Sequence, residues 1–355
     1  MTDNISSIVP TDRFFGYPYR REFTLVMRYQ PPFWTFLLAV GLTTNILNII
    51  TFLKVGVKDS VTTLLLTLSM SDASFLILVS PTLLRHGFLS VGSYKLQAFS
   101  DLRFITFWPA FTCYDFSAYV SVVLGVTRCA CVAMPLRFKS VFTKKRTIIS
   151  VVVLFCINVL IHIPVLTMYR LGWKTDPLTN KSYVGVVRDE PSLRNYKQGI
   201  NDIINKNTLQ VISFIVLVAC AALLKFKLFQ ASKIRSKLAT VSGSSDESDK
   251  SLSQSLAASH KLSPKDVRVV QSVILVCSVY IFAQLPSLLY TATKKFHPEF
   301  TDTGRLFFLV VICSRTSYTF YLINASVNIF VYYNYNTKFR SAFRSLFKCK
   351  EVPRK

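Results

Sequence analysis

The sequence predicts an all-α fold: a seven-transmembrane helix bundle with its N-terminal tail outside and a short amphipathic eighth helix. Three observations predict it. Only 17% of the 355 residues are charged while 51% are apolar, and the mean hydropathy is +0.39, whereas a water-soluble chain carries about 25% charged residues. The apolar residues gather into seven stretches long enough to cross a bilayer, which takes about 20 residues per helix. Lys and Arg fall between those stretches and favour one side, with 24 in the predicted inner segments against 17 in the outer ones and Arg315 left inside the seventh span. The net charge of +24 is thus spread over short clusters instead of one patch, which argues against nucleic acid as a partner.

Taken in order, the chain reads as an outer tail over 1–30, a membrane domain over 31–334 and an inner tail over 335–355. The outer tail is polar, with Asp3, Asp12, Arg20, Arg21 and Glu22, and shows no cleavable signal, so the first span is expected to act as the insertion signal. Spans are predicted at 33–53, 61–84, 105–134, 148–168, 209–228, 269–290 and 306–332. Residues 169–205 read as a long outer loop. Residues 229–266 read as an inner loop whose Ser-rich part, around Ser242 to Asp249, is disordered by composition and offers serines beside acids for phosphorylation. After the last span, Phe339, Phe343, Leu346 and Phe347 interleave with Arg340, Arg344 and Lys348, a basic amphipathic helix suited to the inner leaflet. Cys349 follows, placed for a palmitoyl chain.

Two glycosylation sequons, at Asn4 and Asn180, both face outward in this orientation. All eight cysteines avoid the predicted outer segments, so no outer disulfide is available.

Polar residues inside the spans are the functional signal, because an ionisable group at mid-span costs roughly 2.5–3.5 kcal/mol and turns toward the bundle interior. Asp72 is such a group, and Asn45, Ser117, Asn324 and Asn328 lie at comparable depth. The two asparagines of the seventh span are four residues apart and share a helical face. One carboxylate among oxygen-bearing neighbours suits a small hard cation such as sodium or a water cluster, and equally suits a hydrogen-bonded seam between helices. In the third span, Arg128 near the inner surface precedes Pro135 and Leu136, where the helix is expected to stop.

These marks together resemble the rhodopsin-like G-protein-coupled receptors over roughly 30–348. The resemblance rests on Gly41 and Asn45, Leu68 and Asp72, Ser117, Arg128 with Pro135 and Leu136, Pro286, and Asn324, Asn328, Tyr332, Phe339 and Arg340, each in the matching helix. The departures are many. Thr127 stands in place of the acid before the arginine, Ile329 in place of a proline, Gln284 in place of the aromatic residue two before Pro286, and Arg103 in place of a cysteine. Within that group the stretch Thr127 to Thr147 is similar to gastropod chemosensory receptors and to invertebrate neuropeptide receptors of the FMRFamide type.

The resemblance implies a receptor that carries an extracellular chemical signal, from a chemosensory ligand or a neuropeptide, to a heterotrimeric G protein, with arrestin and receptor kinases as further partners and the plasma membrane as its place. It implies that Arg128, Pro135, Leu136, Asn328 and Tyr332 serve activation and coupling, and that the ligand sits among the outer halves of helices three, five, six and seven. Candidate ligand residues are Arg315, Asp115, Tyr114, Gln284 and Arg103. An amine ligand is disfavoured because Ala110 occupies the position of the usual acid, and retinal because the seventh helix lacks a lysine. Arg315 suits a ligand anion, or alternatively pairs with Asp302 or Glu299. The basic outer loops favour a small-molecule or peptide ligand with anionic or polar groups.

The rival classes are a seven-span ligand-gated channel and a transporter. No internal repeat supports the transporter. No enzyme is expected, since His162 stands alone near Pro164 and Asp72 lacks an acidic mate, and no cofactor is expected beyond an interior sodium ion at Asp72.

Overall fold

The computed structural model describes residues 18–88, 95–133, 142–175, 180, 182–241 and 264–347. Seven of its helices are long and apolar enough to cross a membrane. In chain order the elements are α1 (Arg20–Val55), α2 (Ser60–Phe88), α3 (Lys95–Ala133), α4 (Lys144–Leu166), a hairpin of β1 (Tyr169–Thr175) and β2 (Ser182–Arg188), α5 (Pro191–Asn201), a π-helical stretch Asp202–Leu209, α6 (Gln210–Val241), α7 (Pro264–Phe296), α8 (Phe307–Tyr335) and α9 (Thr337–Phe347). The seven spans are α1 to α4, the continuous run α5–π–α6, α7 and α8.

Helix ends follow local chemistry. Asp59 caps α2 by accepting the Thr62 amide at 2.8 Å, and Thr143 caps α4 through the Arg146 amide. Gly56 stops α1 with φ of +81°, a conformation open to glycine.

The bundle is built inside out relative to a soluble protein. On α4, Ile149, Val152, Val153 and Leu160 face outward, while Thr147, Asn158 and His162 are buried. Lipid solvates the aliphatic face, and polar side chains find hydrogen-bond partners only inside. Two aromatic-rich cores stack along the bundle axis. The inner one holds Phe52, Leu68, Leu124 and Tyr332, and the outer one Trp34, Phe75, Leu76, Tyr114 and Tyr321. Asp72 lies between them along α2.

Close helix contact explains Gly41. A Cβ there would meet the Ser326 Oγ at 2.5 Å and a Leu76 methyl at 2.7 Å, and the closeness lets the Asn45 Nδ2 donate to the Ala325 carbonyl at 2.6 Å.

The described residues of the region expected as a long outer loop form a hairpin and a helix. β1 and β2 pair antiparallel, with Tyr169 opposite Arg188 and Gly172 opposite Gly185. Lys197 ties α5 to the hairpin base through Asp189 at 2.6 Å. The fifth span starts at Pro191, well ahead of the apolar run from which 209–228 is expected. Residues 191–208 are too polar to read as a span, yet Pro191 in the first turn is a helix-start signal. Here too the polar side chains point inward: Asn201 and Asn205 are buried and bonded to each other at 2.8 Å, while Tyr196 and Ile203 are exposed.

Candidate functional site

The mid-bundle polar residues meet. Asp72 is fully buried; its Oδ1 accepts from the Ser117 hydroxyl at 2.6 Å and its Oδ2 from the Asn328 Nδ2 at 2.7 Å. These two bonds join α2 to α3 and α8. Asn45 sits on the α1 side, donating to the backbone of Gly41 and Ala325. Asn324 is buried on α8, one turn from Asn328. The Oδ1 of Asn45 and both amide atoms of Asn48 are buried without a hydrogen-bond partner, and groups of this kind are satisfied by water or an ion. No cluster of three or more His, Cys, Asp or Glu occurs among the described residues, so the donor set is one of hard oxygens around a single carboxylate.

Toward the outer end, a cavity opens between α3, α4, the fifth span, α7 and α8. One wall is aromatic, with Phe111, Tyr114, Tyr318 and Tyr321; the rings of Tyr114 and Tyr321 are 4.4 Å apart. The other wall is polar. Gln284 is a hub: its Nε2 donates to the Tyr114 hydroxyl at 3.1 Å and the Tyr280 hydroxyl at 2.8 Å, and its Oε1 accepts from the Gln210 Nε2 at 2.5 Å. Three helices, α3, α6 and α7, are therefore tied at one side chain. Tyr321 adds a bond to the Ser287 hydroxyl at 2.5 Å, joining α8 to α7.

Asp115, His162 and Lys206 line this cavity, and each has a partner. Asp115 Oδ2 is 3.0 Å from the His162 Nε2, and Lys206 is 3.1 Å from Asp202. The His162 Nδ1 faces the Asn158 carbonyl at 2.8 Å, and a carbonyl only accepts, so Nδ1 carries a hydrogen. The other nitrogen then either donates to a carboxylate or accepts from a carboxylic acid. The Asp115–His162 pair is electrically neutral in both arrangements. His162, read in sequence as solitary, is thus part of the cavity wall; its acidic partner lies 47 positions away on another helix, which no local pattern reports.

Arg315 lies in a second, adjoining cavity together with Trp34 and Phe75. Its Nε donates to the Gln30 Oε1 at 2.6 Å, and its guanidinium carbon is 4.4 Å from the Trp34 ring centroid. Asp302, one of the two partners anticipated for it, instead pairs with Lys294 at 2.8 Å. Arg103 lines neither cavity. It stacks on Phe104 at 4.2 Å, and Arg188 of β2 covers the same ring at 4.0 Å. This stacking clamps the hairpin to α3 at the place where the resemblance lacks its cysteine, and all seven described cysteines are free thiols.

At the inner end, Arg128 is partly buried on the last turns of α3. The neighbouring Thr127 turns its hydroxyl to the Val123 carbonyl at 2.6 Å. Tyr332 is fully buried, its ring 5.2 Å from Phe52 and 5.7 Å from Phe339. Phe339 anchors α9, and Arg340 bonds the Tyr333 carbonyl at 2.8 Å, so α9 is docked under the bundle. Asn180 is exposed, with φ of +53°. Asn4, Pro135, Leu136 and Cys349 lie outside the described residues. Of the candidate ligand residues, Tyr114, Asp115 and Gln284 come together in the first cavity and Arg315 in the second. Lys206, Asn201 and Gln210 line the first as well, hidden from sequence reading because the fifth helix was expected to begin after most of them.

Residues 16–243 match the family model described as serpentine type 7TM GPCR chemoreceptor Srt. A Caenorhabditis elegans protein named "Probable G-protein coupled receptor AH9.1" is 27% identical over 161 residues, which cover 43% of this chain and 38% of that protein. The matched stretch therefore spans less than half of either.

Proposed function

Because the chain belongs to the serpentine 7TM GPCR chemoreceptor family Srt, we propose that it binds a small extracellular molecule in the first cavity and passes the signal to a heterotrimeric G protein at the inner ends of its helices. The protein is a multi-pass receptor of the plasma membrane. The observation that carries the ligand reading is the Gln284 hub. A molecule that competes for Gln284 alters the ties of α7 to both α6 and α3 at one point, next to Pro286, whose missing amide hydrogen weakens the helix ladder there. Such coupling is a differential contact between two helix arrangements, which is what a ligand needs in order to shift a population. The inner half of α7 then swings from α3, uncovering Arg128 for the C-terminus of a G-protein α subunit, with Tyr332 holding the open form. A recess lined by aromatic rings with a few convergent polar groups, Gln284, Gln210 and Asp115, has the make-up of a small-molecule site, which favours a chemosensory ligand over a neuropeptide. Arrestin and receptor kinases belong to the same reading, on the Ser-rich inner loop. So does a sodium ion at Asp72, where the carboxylate, the Ser117 hydroxyl and the free Asn45 Oδ1 are hard oxygen donors.

The test is expression of the full chain in cells, with odorant and peptide pools screened for calcium and cyclic-AMP responses. A small-molecule pool is expected to respond, and the response to vanish when G proteins are removed. Gln210→Leu is expected to shift agonist potency about threefold to tenfold, the worth of one hydrogen bond. A ligand-evoked current that persists without G protein would overturn the reading in favour of a channel.

A further inference from the structure

The second cavity lies between α1, α2, α3 and α8 and shares Phe107, Phe111 and Tyr318 with the first as a common wall. Its lining is otherwise apolar, with Trp34, Phe75, Val79, Leu83 and Leu322, except for two side chains, Thr82 and Arg315. Both are short of partners. The Arg315 Nη2 and the Thr82 Oγ1 are buried and make no hydrogen bond. Arg315 is only 8% exposed, and among the described residues no carboxylate is paired with it: the four ion pairs are His162–Asp115, Lys197–Asp189, Lys206–Asp202 and Lys294–Asp302.

What holds the guanidinium is neutral and rigid. Gln30 accepts from its Nε, while the Gln30 Nε2 is fixed by the Arg315 carbonyl at 3.1 Å and the Thr319 hydroxyl at 2.8 Å. The Trp34 ring carries the guanidinium on its face, with its own Nε1 anchored to the same Thr319 hydroxyl at 2.8 Å. A buried cation held only by an amide and a ring face is poorly compensated, and a free donor on a pre-oriented fork is what a carboxylate completes.

We propose that this cavity is a binding subsite for the carboxylate of a small amphipathic monocarboxylic acid. The carboxylate pairs with Arg315, with the Thr82 hydroxyl as a second donor, and the hydrocarbon or aryl part lies against Trp34, Phe75 and Leu322. One guanidinium in an otherwise apolar lining matches a single negative charge; a doubly charged phosphate would leave one charge unmatched. The inference rests on the receptor reading above and adds to it a second site beside the first cavity, with a ligand class of its own.

The experiment measures equilibrium binding to the purified full chain in lipid nanodiscs with three matched probes, 3-phenylpropanoate, 3-phenylpropan-1-ol and 3-phenylpropylammonium. The acid is expected to bind about tenfold or more tightly than the alcohol, and the ammonium most weakly. Arg315→Gln removes the preference for the acid, Arg315→Lys keeps part of it, and Leu83→Trp, which fills the cavity, weakens acid and alcohol together. Equal binding of acid and alcohol to the unmodified chain would overturn the proposal without any variant having to fold, as would a preference that survives Arg315→Gln. If the acid binds as expected but no pool in cells evokes a G-protein response, the subsite stands and the receptor reading falls. If pools evoke responses and the acid shows no preference, the subsite alone falls.

Discussion

The two outer cavities share three aromatic residues and differ in how they balance charge. In the first, the Asp, His and Lys side chains of the wall are matched from within the protein: Asp115 by His162, and Lys206 by Asp202. In the second, Arg315 is matched, among the described residues, by an amide and an indole face and by no carboxylate. A self-balanced wall favours neutral, hydrogen-bonding molecules, because a charged one would have to displace an existing partner. An unbalanced wall favours the opposite charge, because desolvation of the cation has already been incurred in the empty protein. Adjacent pockets in one bundle can thus sort chemistry by charge alone.

That contrast predicts opposite stability effects for removing a charge on each side of the shared wall. Asp115→Ala leaves the buried His162 Nε2 without its partner and is expected to destabilise the purified receptor by about 1–3 kcal/mol, read as a lower melting temperature. Adding His162→Phe should recover most of the loss, whereas additive losses would show that the two side chains are not coupled. Arg315→Gln should act the other way in the ligand-free receptor, raising stability by about 1 kcal/mol through loss of an unmatched buried cation; a fall of similar size would mean that the guanidinium is already compensated. The smallest effect belongs to Lys206→Met. Its pair with Asp202 is 43% and 40% exposed and lies one helical turn apart, so melting should move by no more than the equivalent of about 0.5 kcal/mol.

The inner half of the bundle was far more readable from sequence than the outer half. Asp72, Ser117 and Asn328 stand out because a polar residue in an apolar run is costly and must point inward, and the structure joins all three directly. The seven spans were readable for the same reason, since lipid sets a minimum length of apolar helix. Outside the bilayer core that rule lapses. The hairpin at 169–188 and the helix from Pro191 follow from pairing and amphipathic packing, which a hydropathy window does not register. The Gln284 hub was visible only as a departure from an aromatic residue; its meaning came from Tyr114 and Gln210, which lie far away in the chain. Asp115 was visible while its partner His162 seemed solitary, because the pair is made by the crossing of α3 and α4. Arg315 was visible as a charge out of place, but the second cavity around it required the placement of Trp34 on α1.

The ring of Phe104, pressed between Arg103 and Arg188, replaces a covalent staple with a contact that parts and re-forms thermally. A stacked guanidinium contributes on the order of 0.5–2 kcal/mol, far below the strength of a sulfur–sulfur bond. The β-hairpin is therefore fastened to the rim of the bundle by something closer to a latch than a weld. Its attachment needs no oxidising step during biosynthesis, and reductants outside the cell have nothing there to cut.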